Sequence, residues 1–200
     1  MLGSITPLGE RGRGSRWWVT VTAFVVSSLA GGAAIGAALG AAGLGILSPT
    51  GLSAPAKLWA LGLVLVVGLI LDLGPAGITL PSPRRQVNED WLGQFRGWVY
   101  GSAFGLQLGT GVVTVVTTST VYGALAAAFL TASPWRGLIV GITFGLVRGA
   151  TVLPGAGVTT PLRLTSLERS IRRWDHPARL TTLAVQLAVV GAVASGAIRA

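Results

Sequence analysis

Five apolar segments, each long enough to cross a lipid bilayer, constrain the fold more than any other feature of the sequence. They cover approximately residues 17–47, 58–80, 97–131, 137–155 and 180–198. A membrane-spanning helix needs about 20 predominantly apolar residues. Only 10% of the residues are charged, against about 25% in soluble domains. The sequence therefore predicts an all-α polytopic membrane protein with about five transmembrane helices in a single transmembrane domain over residues 17–200.

The positively charged residues predict an orientation. Cytoplasmic segments of membrane proteins carry an excess of arginine and lysine. Eleven such residues lie in segments 1–16, 81–96 and 156–179, whereas only Lys57, Arg136 and Arg199 lie in the segments of the other side. We therefore predict a protein of the inner membrane with a cytoplasmic basic tail over residues 1–16. The net charge of +9 is then explained by orientation and contact with anionic lipid, and no nucleic-acid binding is expected.

Two rows of glycine recur at every fourth position. The first row is Gly97, Gly101, Gly105 and Gly109, and the second is Gly137, Gly141, Gly145 and Gly149. Four residues turn a helix by about 400°, so each row stays on one side. Small residues let the backbones of membrane helices approach closely. We predict helix packing along both rows and expect them to face each other. A groove for a sliding helix or a small solute is the alternative.

Polar and charged residues inside the apolar segments mark a candidate pathway. Gln107, Thr110, Thr114, Thr117 and Thr118 are spaced to share one side of a helix. They would line a polar cavity, or the hydroxyls would bond to their own helix backbone. Asp72 and Arg148 are the charged residues inside the predicted spans. Ionisable residues there are costly and by default suggest function. Their similar depth would allow a pair, either structural or part of a pathway, and the alternative is that Arg148 extends to the membrane interface.

Two basic segments have helical apolar spacing. Leu164, Leu167, Ile171 and Trp174 alternate with arginines, and residues 85–95 show the same arrangement more weakly. Both predict short amphipathic helices in the headgroup layer, with an ordinary solvated loop as the alternative. Each half of the chain also contains a long glycine-rich span, a short loop, a second span and such a segment. This order is compatible with a two-span internal repeat followed by one extra helix.

The residue inventory argues against catalysis. The chain has no cysteine and one histidine, which excludes disulfides and thiolate metal sites and disfavours a histidine metal centre. We found no Ser/His/Asp arrangement, phosphate-binding loop or pair of membrane carboxylates. We predict no enzyme activity, no metal and no cofactor.

Residues 97–150 resemble the transmembrane core of the CcdA/DsbD proteins, within the LysE-type transporter superfamily. The matching positions are Phe104-Gly105, Gly109, Gly111 and Gly145-Leu146. The resemblance implies a transporter scaffold. That family moves reducing equivalents through a pair of membrane cysteines, which this chain lacks, so the activity and its functional residues do not carry over.

The sequence supports two functional hypotheses. The first is a transporter-like protein that moves a small solute or ion. The alternative is a non-catalytic membrane subunit or assembly factor that docks another membrane protein through glycine-rich helix faces. The lipid bilayer is the expected environment, and a membrane-protein partner or a homo-oligomer is compatible with both hypotheses.

Overall fold

The computed structural model describes residues 5–74, 94–111 and 118–199, and the regular elements in these ranges are helical. In chain order they are α1 (Pro7–Gly12), α2 (Trp17–Leu47), α3 (Ala54–Leu73), α4 (Gly97–Thr110), α5 (Thr120–Leu130), α6 (Pro134–Ala150), a 3-10 turn (Leu153–Gly157) and α7 (Pro161–Arg199). Four helical stretches in the described ranges are long and apolar enough to cross a membrane: Trp17–Leu47, Ala54–Leu73, Pro134–Gly157 and Pro161–Arg199. The expected all-α polytopic membrane fold is confirmed.

Local sequence signals explain where several helices begin and end. A serine with a proline within two residues precedes both α3 and α6. The Oγ atoms of Ser53 and Ser133 accept a first-turn backbone N–H at 3.4 and 3.5 Å. Both residue types are favoured at helix starts. α3 and α4 end at Gly74 and Gly111, whose φ angles of 70° and 71° lie in the left-handed region that favours glycine.

α2 is the central helix, and α4 and α6 pack on two of its sides. A Cβ atom added at Gly105 of α4 would lie 2.1 Å from the carbonyl oxygen of Phe24. One added at Gly141 of α6 would lie 2.0 Å from the carbonyl oxygen of Gly32. Because these neighbours are backbone atoms, no side chain there can move aside. Glycine is what permits this spacing of the helices.

The two glycine rows face α2 and not each other, contrary to the expectation from their matching spacing. The first row lies against residues 20–28 of α2, and the second lies against residues 25–40. α2 can accept both rows because it has small residues on two sides: Gly31 lies against α4, whereas Gly32 and Gly36 lie against α6. The carbonyl oxygen of Ser28 lies close to both Gly109 and Gly145.

The crossing expected over residues 97–131 is broken into two helices. α4 begins beside Thr20 of α2 and ends beside Ser28, and α5 ends beside Gly43. α4 and α5 therefore run in the same direction and together follow the length of α2. The single crossing is thus interrupted, and its first helix ends at Gly111, whose backbone is left-handed.

The final span and the amphipathic segment before it form one helix. α7 has 39 residues, about 58 Å at 1.5 Å per residue. The separate interfacial helix expected at 164–174 is thus the first part of α7. Pro177 lies inside the helix without ending it, and there is no other helix breaker between the two segments. The C-terminal part runs antiparallel to α3, with Gly196 beside Leu58.

Candidate functional site

The break between α4 and α5 brings polar groups from three helices together. Ser119 directly precedes α5, Asp72 lies in the last turn of α3, and Gln186 lies on the C-terminal part of α7. Ser119 and Gln186 are each 6% exposed. Asp72 is the member of this cluster that the sequence singled out.

The Asp72 carboxylate caps the start of α5 from a different helix. Its two oxygens accept the backbone N–H of Ser119 at 2.9 and 3.0 Å, and Oδ2 accepts the Ser119 hydroxyl at 2.8 Å. The Ser119 side chain does not cap the helix itself. Free N–H groups and the helix dipole favour a negative charge at a helix N-terminus. The break in the crossing creates a helix start at α5 whose free N–H groups need an acceptor, and Asp72 supplies it.

Gln186 connects this cap to α7. Its Nε2 donates to Asp72 Oδ2 at 2.7 Å and to Thr120 Oγ1 at 3.0 Å. The Arg179 guanidinium donates to the backbone carbonyl of Asp72 at 3.1 Å. Gly68 allows the close approach of α3, since a Cβ there would lie 2.6 Å from Ser119 Oγ. α3, α5 and α7 are thus joined by one hydrogen-bond network.

This network is suited to holding helices in a fixed arrangement. Asp72 is half-buried. A carboxylate partly removed from water needs donors that replace its lost hydration, and here a helix start and an amide supply them. The Oε1 atom of Gln186 is buried without a hydrogen-bond partner in the described part of the chain. No three His, Asp or Glu residues within the described ranges lie close enough together to hold a metal ion.

The structure does not bring Asp72 and Arg148 together. Asp72 makes the contacts given above, whereas the Arg148 guanidinium lies 5.4 Å from the centre of the Phe144 ring. The reason is topological: α3 packs on α5 and α7, while α6, which carries Arg148, packs mainly on α2. A similar depth in two segments does not make their helices neighbours.

The expected polar face from Gln107 to Thr118 does not follow one helix. α4 ends at Thr110, and Gly111 breaks the helical geometry on which the spacing depended. The Thr110 hydroxyl donates to the carbonyl of Gln107 at 2.9 Å, which is the backbone bonding that competes with lining a pathway. Thr118 is half-buried next to the cap of α5. Residues Thr114 and Thr117 lie outside the described ranges.

A second buried polar cluster lies at the other end of α4. Glu10 is fully buried, and its carboxylate accepts the Arg13 guanidinium at 2.7 Å, the Thr20 hydroxyl at 2.8 Å and the Tyr100 hydroxyl at 2.5 Å. Burial alone would lower the pKa of Arg13, but its hydrogen bonds to Glu10 and Tyr100 raise it above the ordinary value. The part of the expected basic tail that the structure describes therefore folds onto the bundle through α1.

Sequence reasoning missed the partners in both clusters. Ser119 and Gln186 are neutral, so a search for charges inside spans passed over them. The run TTST at 117–120 before an apolar segment was the available signal for a helix start. Glu10 gave a weaker signal, as the one acidic residue among the arginines of the N-terminal segment.

Two curated proteins are similar to nearly the whole chain. The methylamine utilization protein MauF of Paracoccus versutus is 31% identical over 198 residues, which cover 96% of this chain and 70% of that protein. The protein of the same name from Methylophilus methylotrophus is 29% identical over 181 residues, which cover 88% of this chain and 61% of that protein. No protein-family model matches the chain, and no solved structure matches it. The resemblance to the CcdA/DsbD core stays a prediction.

Proposed function

Because the chain belongs to the family of the methylamine utilization protein MauF, we propose that it is a non-catalytic membrane accessory protein of methylamine utilization. The similarity to the two MauF proteins carries this proposal. It favours the hypothesis of a subunit or assembly factor over that of a transporter. We place the protein in the inner membrane with its N-terminus in the cytoplasm, as the arginine distribution predicts.

The glycine rows are unavailable for docking a partner protein. Both rows are in contact with α2, and a Cβ at Gly101 or Gly109 would already meet backbone atoms at 2.6 or 2.1 Å. A larger residue there would disturb the bundle itself. We therefore assign docking to a different surface from the one the sequence suggested.

We assign docking to the arm, which we define as residues 161–179, the first part of α7. Leu162, Ile171 and Trp174 are 81%, 45% and 63% exposed, although the arm precedes the apolar segment that would face lipid. The arm also contains five arginines against Glu168 and Asp175. Exposed apolar residues next to concentrated charge are typical of interaction sites. We propose a membrane-protein partner of the methylamine system with an acidic surface beside an apolar groove.

Deleting the gene in the organism that carries it tests the general proposal. We expect growth on methylamine to be lost and growth on a carbon source unrelated to methylamine to be retained. Unchanged growth on methylamine would show that the protein has no role in methylamine utilization.

Complementation of that strain tests the arm. The variant Ile171→Ala/Trp174→Ala removes two apolar side chains, and Thr165→Ala is the matched control, since Thr165 is exposed and lies about 150° away around the helix. We expect the double variant to reach the membrane at normal levels, to restore growth poorly and to lose a photocross-link formed from position 167. Full restoration of growth by the double variant would exclude the arm as the docking surface.

A further inference from the structure

A cavity lined by three arginines lies where α2 and α4 begin side by side. Its volume is about 430 Å³, and Arg13, Arg16 and Arg96 lie in its wall together with Ser15, Gln94 and Trp98. The buried acid nearby, Glu10, already accepts hydrogen bonds from three side chains. The cavity therefore combines a net positive charge with room for a small anionic group.

The arginines are held in different ways that suit binding. Arg13 is fixed by the buried Glu10 and lies 5.6 Å from the centre of the Tyr100 ring. Arg16 and Arg96 are exposed at the cavity edge. Bidentate contact between guanidinium groups and phosphate is among the strongest charge-assisted interactions in proteins. One fixed and two adjustable guanidinium groups can surround a phosphate.

The helix starts add to the positive field of the cavity. Arg16 directly precedes α2 and Arg96 directly precedes α4, and neither side chain caps its helix. The first N–H groups of a helix have no partner within the helix and favour an anion. The positive ends of α2 and α4 therefore add to the charge of the three arginine side chains.

Exposed tryptophans place the cavity at a depth suited to lipid headgroups. Trp18 and Trp98 follow the two arginines and are 62% and 54% exposed. Tryptophan is enriched at the level of the headgroups in membrane proteins. The phosphate of a lipid would lie at this level, while its acyl chains would remain in the bilayer beside α2 and α4.

We propose that the cavity formed by Arg13, Arg16 and Arg96 binds a phosphate group, supplied by the headgroup of an anionic lipid or by free phosphate. The buried network around Glu10 positions Arg13 for this contact. The site is separate from the arm and from the network of Asp72, Ser119 and Gln186. It would make the packing of α1, α2 and α4 depend on the bound anion.

The test uses the full-length chain in nanodiscs of phosphatidylcholine, with or without 20 mol% phosphatidylglycerol, and in detergent with inorganic phosphate. Thermal unfolding and native mass spectrometry report stabilisation and bound anions. The cavity variant is Arg16→Gln/Arg96→Gln, which leaves the Glu10–Arg13 pair in place. Arg136→Gln is the control, since Arg136 is exposed at the opposite end of the bundle.

We expect the wild type and the control to be stabilised by phosphatidylglycerol and to retain one bound lipid, and the cavity variant to lose both properties. Stabilisation by inorganic phosphate alone, lost in the cavity variant, would support the site and identify free phosphate as its ligand. Equal responses of wild type, control and cavity variant to both anions would overturn the proposal. The outcome does not depend on growth on methylamine.

Discussion

The contact between Gly141 and α2 gives the sharpest prediction of stability. In the variant Gly141→Ala, the new methyl group would lie 2.0 Å from the carbonyl oxygen of Gly32, 2.8 Å from its carbonyl carbon and 3.0 Å from the Cα of Gly36. Ordinary contacts between such atoms are about 3.5–4.0 Å, so α6 and α2 must separate by more than about 1 Å. That displacement would also weaken the contacts that Gly137 and Gly145 make.

The expected loss of stability in Gly141→Ala can be given as a free energy of unfolding and as a shift of the unfolding temperature. Overpacking a filled core costs about 1–3 kcal/mol and occasionally more. We expect the upper end, about 3 kcal/mol, because backbone atoms cannot change rotamer as side chains do. For a chain of this length, that corresponds to roughly 6–12 °C in the midpoint of thermal unfolding. Circular dichroism at 222 nm on the purified protein in detergent measures it.

Gly191→Ala is the matched control, because nothing lies within 4 Å of the Cβ it would introduce. Alanine is a better helix former than glycine by about 1 kcal/mol, so this variant should be as stable as the wild type or more stable. Two results would refute the reasoning. One is an unchanged midpoint for Gly141→Ala, and the other is an equal loss of stability in both variants.

Three further predictions concern polar side chains that form hydrogen bonds between helices. Asp72→Ala should cost about 2–4 kcal/mol, since the start of α5 loses its cap, and its combination with Gln186→Leu should cost less than the sum of the single changes. Denaturant titration of the four proteins measures this, and strict additivity would mean that the two side chains act independently. Tyr100→Phe should cost about 1.5–3 kcal/mol, because it removes a donor to the charged Glu10. An unfolding midpoint within error of the wild type would contradict it. The Ser28 hydroxyl donates to the carbonyl of Gly145 on α6 at 2.8 Å. Ser28→Ala should therefore cost about 1 kcal/mol, and a loss in thermal unfolding as large as that of Gly141→Ala would contradict this.

The approximate positions of the long apolar segments could be predicted from the sequence because their signals are local, although the break after α4 and the continuity of α7 were not predicted. The length of the apolar runs identified the long segments, and serine, proline and glycine residues lie at several of the helix ends. The neighbours of each helix could not be predicted in this way. The two glycine rows have the same spacing, but their packing depends on a third helix, α2, that presents small residues on two sides. In a chain with 30 glycines, Gly111, which ends a helix, looks the same in sequence as those that pack.

The candidate site was predictable only in part for a similar reason. The charge of Asp72 marked it as unusual inside an apolar segment. Its partners are a backbone N–H, a hydroxyl and an amide, which carry no charge and come from residues 119 and 186. Arg148 seemed a suitable partner by depth, but its helix does not adjoin α3. The depth of a residue along its span can be estimated from the sequence, whereas the packing of the bundle determines which helices are neighbours.

The arrangement around α2 interlocks three helices of the bundle, and α3 and α7 lie outside this interlocked part. Rotating or sliding α2 would drive carbonyl oxygens into Gly105 on one side and Gly141 on the other, so α2, α4 and α6 must move as one body. α5 packs on α2 and α6, and α3 and α7, which contact each other, meet the rest of the described bundle mainly where α3 packs on α5. The bonds of Asp72 with Ser119 and Gln186 therefore act as the joint between the two parts. Any signal that a partner delivers to α7 would reach the rest of the molecule through that joint.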